Sequence, residues 1–224
     1  MSDLLADGNG DNSIQSWRVF RIMSEFVGGF ELLRKYGTAA TFFGSARYDE
    51  QHPVYQASKQ LAGLLAQSGF AVITGGGGGV MSAANNGAFE AGGESIGLNI
   101  TLPTEQKPNA FLTDVMEFHF FFSRKVMLAF ASEVYVYFPG GYGTLDEFFE
   151  IITLIQTNKI SKVPIVLFDS AYWNPLIAFL KTTVLEAYAG IDAVDLDIFH
   201  VVNTVDEAYK YITDHVDPCV PKQI

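Results

Sequence analysis

Residues 134–147 read Val134-Tyr135-Val136-Tyr137-Phe138-Pro139-Gly140-Gly141-Tyr142-Gly143-Thr144-Leu145-Asp146-Glu147. The opening run of β-branched and aromatic residues is too short for a helix and suits a strand covered on both faces. A proline and two glycines stop it. Thr144 is a residue type that caps helices, and a helical pattern follows over 144–156. Strand, glycine turn and helix, in that order, make half of a β-α-β unit. Such a helix offers unpaired N–H groups and a partial positive charge to an anion. On this reading the helix proper runs from Leu145, which puts Asp146 and Glu147 in its first turn.

The same alternation extends in both directions. Further strand-like runs occupy 39–43, 71–74, 95–100, 117–122, 164–168 and 199–202, and several are continuously apolar. Helical patterns occupy 14–36, 54–67, 80–91, 124–132, 172–188 and 205–213. This order predicts an α/β fold: a single-domain, Rossmann-like, doubly wound and mainly parallel sheet of about seven strands with helices on both faces. No linker, charge block or repeat divides the chain. The expected organisation is a tail over residues 1–12 and one nucleotide-binding domain over 13–224. Ligands of such sheets bind beyond the carboxyl ends of the strands.

Composition narrows the function. Hydrophobic residues are 49% and charged residues only 17%, which leaves little polar material to cover a monomer, so a homodimer or higher homo-oligomer is expected. A net charge of −11 argues against a nucleic-acid partner, whose footprint is a basic patch. An anionic substrate must then be held by local dipoles and a few cations. The single cysteine, Cys219, can form no internal disulfide, which fits a cytoplasmic setting. No signal peptide is recognisable, and no apolar run reaches the roughly 18 residues of a membrane span, so no membrane partner is expected.

Three glycine turns follow strands: Gly44-Ser45, with Arg47 just beyond; Gly75 to Gly79; and Gly140 to Thr144. In a parallel sheet all three fall on one edge. The five consecutive glycines are not a dinucleotide fingerprint, because the third strand ends at Asn99 and Ile100 rather than at an acid that could hold a ribose. No Lys-Ser/Thr pair follows them, which excludes an NTPase phosphate loop. A glycine turn can also be a plain tight connection. The third turn differs in uniting Gly140, Gly141 and Gly143 with Thr144 and Glu147 at one helix start.

Arg124 and Lys125 follow the aromatic run 118–122. Cations are disfavoured at a helix N-terminus, so their placement points to a ligand. An arginine fork can hold phosphate or ribose hydroxyls. Glu147 is either a first-turn acid worth about 0.3–1 kcal/mol to the helix dipole, or a carboxylate that stabilises a cationic transition state or activates water. Asp146 should point elsewhere, and Glu150 to solvent or a neighbour. Arg47 is either a surface arginine or a contact to phosphate or base. His52, His119, His200 and His215 show no metal-ligand spacing, and neither metal nor cofactor is expected. Ser45 and Ser82 sit in no nucleophile elbow. Phe120, Phe121 and Met127 are candidates for an apolar wall, with core packing expected instead for at least one of them.

The run PGGYGTLDE (139–147), the pair Arg124-Lys125, the run FGSAR (43–47) and the run GGGGGVMSAANNGAFEAGG (75–93) resemble the LOG (LONELY GUY) family, long labelled lysine decarboxylases. The likeness spans about residues 41–160. The long N-terminal helical pattern and the stretch 97–103 look like its bacterial long-chain branch. The resemblance implies a phosphoribohydrolase, which cleaves the N-glycosidic bond of cytokinin riboside 5′-monophosphates or AMP to free base and ribose 5-phosphate. It implies Arg124 and Glu147 as catalytic residues. The substrate contacts it implies are Gly44, Ser45, Arg47, Gly76, Gly77, Lys125, Pro139, Gly140, Gly141, Tyr142, Gly143, Thr144, Asp146 and Thr153. Plant members often carry Glu where this chain has Asp146. The decarboxylase label conflicts with the chemistry, which calls for a cofactor such as pyridoxal phosphate on a Schiff-base lysine. A nucleotide-binding regulator, a pyrimidine-monophosphate nucleosidase and a ribosyl transferase remain as alternatives.

Overall fold

The computed structural model describes residues 12–101 and 107–218, with side chains from Trp17 onward. The tail expected over 1–12, apart from Asn12, lies outside the described residues, as do Cys219 and the Leu102-Pro103 end of the stretch 97–103.

Seven strands form one sheet: β1 (Ala39–Phe43), β2 (Ala71–Thr74), β3 (Ser95–Ile100), β4 (Asp114–Phe118), β5 (Val134–Tyr137), β6 (Ile165–Phe168) and β7 (His200–Val202). Their order is β4-β3-β2-β1-β5-β6-β7, and every pairing is parallel. The five inner strands are buried along their whole length, as their continuous apolar runs require. The edge strands β4 and β7 are partly exposed.

Helices α1 (Asn12–Leu33), α4 (Phe121–Ala129), α5 (Tyr142–Gln156) and α6 (Ser170–Phe179) cover one face, packing on Phe43, Tyr135 and Tyr137. Helices α2 (Pro53–Gln67), α3 (Val80–Glu90) and α7 (Val205–His215) cover the other, on Phe42, Val136 and Phe138. Alternate residues of β1 and β5 thus serve opposite cores. The tyrosines of β5 bury their rings and satisfy their hydroxyls: Tyr135 donates to the Ala129 carbonyl at 2.6 Å and Tyr137 to the Glu147 carbonyl at 3.2 Å. An unpaired buried hydroxyl would cost about 1–3 kcal/mol. Tyr137 therefore ties the second turn of α5 to the sheet.

The chain lays β2, β3 and β4 to one side of β1 and then returns to place β5 on the other, with Phe43 beside Tyr137. That reversal opens a crevice between the turns after β1 and β5.

The structure corrects several expected boundaries. The strand expected over 117–122 is Asp114–Phe118, and Phe121 and Phe122 begin α4. Aromatic β-propensity yields here to tertiary bonds that turn the chain at His119 and Phe120. Helix α5 begins at Tyr142, so Asp146 and Glu147 lie in its second turn, not its first. Thr144 is not the cap: the N-cap is Gly141, without a side-chain bond. The helix expected over 172–188 is α-helical only to Phe179 and continues with wider turns over Leu180–Ala187.

Candidate active site

A cavity of about 820 Å³ opens at the switch between β1 and β5. Its walls come from all three glycine turns, from α4 and from the start of α5. Gly44, Ser45 and Arg47 line it from the first turn, Gly75 from the second, and Gly140, Gly141, Tyr142, Gly143 and Thr144 from the third. Arg124, Asp146 and Glu147 line it too. Pro139, Gly76, Gly77, Lys125 and Thr153 do not.

The turns are stitched together by their backbones. The Ser45 N–H donates to the Pro139 carbonyl at 3.1 Å, and the Ser45 carbonyl accepts the Val80 N–H at 3.0 Å. Pro139 thus contributes through its carbonyl to the frame behind the cavity. Gly79 must be glycine: its φ is 61°, and a Cβ would fall 2.2 Å from the Ser45 oxygen. Gly76 and Gly77 are held from behind by Asn109, which no motif singled out. The Asn109 N–H donates to the Gly76 carbonyl at 2.9 Å and its Nδ2 to the Gly77 carbonyl at 3.1 Å.

The third turn is open. The Thr144 and Leu145 N–H groups both donate to the Gly141 carbonyl, at 3.0 and 3.1 Å. The amides of Tyr142 and Gly143, both on the cavity wall, precede the first intrahelical bonds and face the dipole's positive end. Thr144 packs on Gly140, where a Cβ would fall 2.0 Å from Oγ1. Tyr172, from α6, donates to the Gly140 carbonyl at 2.8 Å and fixes the turn.

Arg124 reaches inward across β3. Its Nε donates to the Leu98 carbonyl at 2.7 Å, and its guanidinium covers Gly75, where a Cβ would fall 2.2 Å from Nη2. Gly75 is glycine because the arginine lies over it. Burial pulls the Arg124 pKa down, and the nearby Glu147 carboxylate opposes that shift. Glu147 is only 8% exposed, and its Oε2 has no hydrogen-bond partner among the described residues. Burial raises its pKa to about 7, against the pull of Lys125 and Arg124 and with the help of Glu150 and Asp146. A carboxylate that titrates near neutrality beside an arginine can carry or shed a proton under working conditions.

Lys125 is not on the cavity wall but contacts Asp146, which is. Its Nζ lies 2.5 Å from Asp146 Oδ2 and 3.1 Å from Glu150 Oε2. Burial disfavours its charge, but Asp146, Glu147 and Glu150 outweigh that and hold its pKa above the ordinary value. Glu150 thus faces a specific neighbour. Thr153 is exposed and its hydroxyl donates to the Phe149 carbonyl at 2.6 Å. Of the expected apolar wall, Phe121 lines the cavity, whereas Met127 is fully buried in the core. Met81, Ile100 and Leu145, inside the recognised runs, also line the cavity, as do Tyr48 and Leu128, which no motif marked. Among the described residues, no cluster of three or more His, Cys, Asp or Glu could hold a metal ion. No helix of these residues is long and apolar enough to cross a membrane.

Comparison with known proteins places the chain among relatives. A family model described as "Possible lysine decarboxylase" matches residues 81–212, more than half of the chain. A cytokinin riboside 5′-monophosphate phosphoribohydrolase of Rhodococcoides fascians is 27% identical over 59% of this chain and 69% of its own. One from Arabidopsis thaliana is 27% identical over 83% of this chain and 85% of its own. A probable enzyme of the same name from Oryza sativa is 32% identical over 60% of this chain, which spans 55% of that protein's length. Among solved structures, the molybdenum cofactor carrier protein of Chlamydomonas reinhardtii superposes with a TM-score of 0.58 at 24% identity, over 79% of this chain and 96% of that one. The molybdenum cofactor binding protein of Rippkaea orientalis gives 0.57 at 21%, over 79% and 94%. At these identities the two structures speak to the fold alone.

Proposed function

This chain belongs to the family that the matching model describes, the LOG family, and from that membership we propose that it hydrolyses the N-glycosidic bond of a nucleoside 5′-monophosphate. The observation that carries the proposal is the pairing of Arg124 with the buried, incompletely bonded Glu147 in a cavity whose floor is the open N-terminus of α5. Cytokinin riboside 5′-monophosphates and AMP are the substrates this reading names, after the curated relatives. The products are free base and ribose 5-phosphate.

The 5′-phosphate docks on the Tyr142 and Gly143 amides, where the helix dipole favours an anion. Arg124 braces the ribose or phosphate. As the C1′–N bond lengthens, the sugar gains oxocarbenium character, and the Glu147 carboxylate stabilises that charge and aligns water for attack on C1′. Water supplies the hydroxyl at C1′, and its proton goes by way of Glu147 or solvent to the departing base. Phe121, Met81, Ile100 and Leu145 offer the base an apolar wall. Phosphate binding positions the sugar, so the unphosphorylated nucleoside should react poorly. Decarboxylation of lysine finds no support, since the one lysine near the motifs, Lys125, is engaged by two carboxylates.

The working unit in this reading is a cytoplasmic homodimer or larger assembly. Its support is the outer side of α1, which exposes Trp17, Phe20, Met23 and Val27 by more than half, with Phe30 against Phe130 beside them. A contiguous apolar surface of this kind suits a second copy of the chain.

The test is a panel of nucleoside monophosphates assayed for free base and ribose 5-phosphate with the wild type, Glu147→Gln and Arg124→Ala. Each substitution should lower turnover about 10²–10⁴-fold. Unchanged turnover in either variant would overturn the assignment. Binding without release in the wild type would favour a nucleotide-binding regulator.

A further inference from the structure

We propose that Glu25, on α1, is the positioning residue that sets Arg124 in the cavity. Glu25 is a buried carboxylate, 6% exposed, on a helix that does not line the cavity. Its Oε1 accepts the His119 N–H at 2.8 Å, with His119 Nδ1 at 3.4 Å from the same oxygen. Its Oε2 accepts the Phe120 N–H at 3.4 Å and the Ser123 hydroxyl. These donors are the turn from β4 into α4. The N-cap residue of α4, Phe120, has no side-chain oxygen and makes no cap bond. A carboxylate from another helix thus binds the entry to α4 from outside, and the dipole of α4 favours its charge there.

Arg124 is the next residue after this bonded turn, and its N–H donates to the Phe120 carbonyl at 3.3 Å. The turn's position therefore dictates where the guanidinium arrives over Gly75 and the Leu98 carbonyl. Helix α1 can come this close because of Gly28 and Gly29. A Cβ on Gly29 would fall 2.4 Å from Met127 Sδ, and one on Gly28 would fall 3.1 Å from Met116 Cε. Two glycines bring α1 against α4 and β4, and one carboxylate fixes the register between them. Glutamine in place of Glu25 would keep the volume but turn an NH₂ toward donors that need an acceptor, releasing the turn without opening a cavity.

The inference rests on Arg124 having the role assigned above, and a four-protein cycle tests it: wild type, Glu25→Gln, Arg124→Ala and the double variant. Turnover of AMP, AMP binding by calorimetry and thermal melting are measured for each. Glu25→Gln should lower kcat about 10–100-fold, as misplacement of a catalytic group does, while melting stays within a few degrees of the wild type. In the Arg124→Ala background the same change should slow the enzyme no more than about threefold, because its effect passes through Arg124. An equal loss in both backgrounds, or an unchanged kcat, overturns the proposal. If Glu25→Gln does not fold, Ser123→Ala removes one donor and should show a smaller loss with the same dependence on Arg124. If the wild type releases no base, the functional reading fails. The Glu25 proposal is then decided by AMP affinity, which Glu25→Gln should weaken only where Arg124 is present.

Discussion

The second and third glycine turns look alike in sequence and differ in what their backbones do. In the turn after β2, the middle glycines are bonded inside the protein. Thr74 Oγ1 accepts the Gly76 N–H at 2.9 Å, Asn109 takes the Gly76 and Gly77 carbonyls, and Gly79 fits only because nothing extends beyond its Cα. In the turn after β5, the amides of Tyr142 and Gly143 stay open to the cavity, and no atom lies within 4 Å of a Cβ placed on Gly141 or Gly143. Glycine serves close packing in one turn and leaves open space in the other. The number of glycines does not distinguish these uses; the bonds around them do.

That contrast can be broken by experiment. The largest effect is expected at the site, in a direction opposite to its effect on stability. Glu147→Gln should abolish most turnover yet stabilise the fold above neutrality. The folded-state pKa of Glu147 is raised from 4.5 to about 7, so the folded protein binds this proton more tightly than the unfolded chain. Stability from this group is therefore full below pH 4.5 and is lost as pH rises to about 7. Removing the charge should recover up to about 3 kcal/mol at pH 8, measured by urea unfolding, since each tenfold difference in proton affinity is worth about 1.4 kcal/mol.

Gly79→Ala should destabilise the protein by about 3 kcal/mol or more, because positive φ and a clash with backbone coincide. The folded fraction should keep its KM. Equal stability of this variant and the wild type would contradict the packing role of the second turn.

Gly143→Ala should do the reverse. In open space within a helix it should leave melting unchanged or raise stability by about 1 kcal/mol. A methyl beside the amide should raise KM for the monophosphate about tenfold, equivalent to about 1.4 kcal/mol. A KM equal to that of the wild type would remove the third turn from the phosphate site.

The smallest effect concerns Lys125. It lowers the Glu147 pKa, so in Lys125→Met the limb of kcat/KM that rises through about pH 7 in the wild type should move to higher pH by less than about one pH unit. A pH profile of AMP hydrolysis checks this, and movement toward lower pH would contradict the charge arrangement.

Much of this was legible in the sequence, because it depends on neighbouring residues. Apolar runs of strand length alternating with helical patterns, three of them closed by a glycine turn, were enough for a parallel sheet with its ligand edge. Arg124, Glu147 and the Gly140–Thr144 run carried a recognisable motif. Two of the readings needed correction for different reasons. Phe121 and Phe122 read as strand, but Glu25, from a remote helix, binds the turn before them and the strand ends at Phe118. Thr144 read as a cap, but the helix starts earlier, with Gly141 as its N-cap.

By itself the sequence determined the alternation of elements and the chemical types gathered at the sheet edge, since short-range periodicity and turn chemistry need no distant partner. Only the tertiary structure decided that β1 and β5 are neighbours, that Arg124 crosses β3 to lie over Gly75, and that one glycine turn is tightly packed while another is exposed. Those outcomes come from close packing and hydrogen bonds between segments remote in the chain. Their energies depend on which surfaces meet, and no local pattern encodes that.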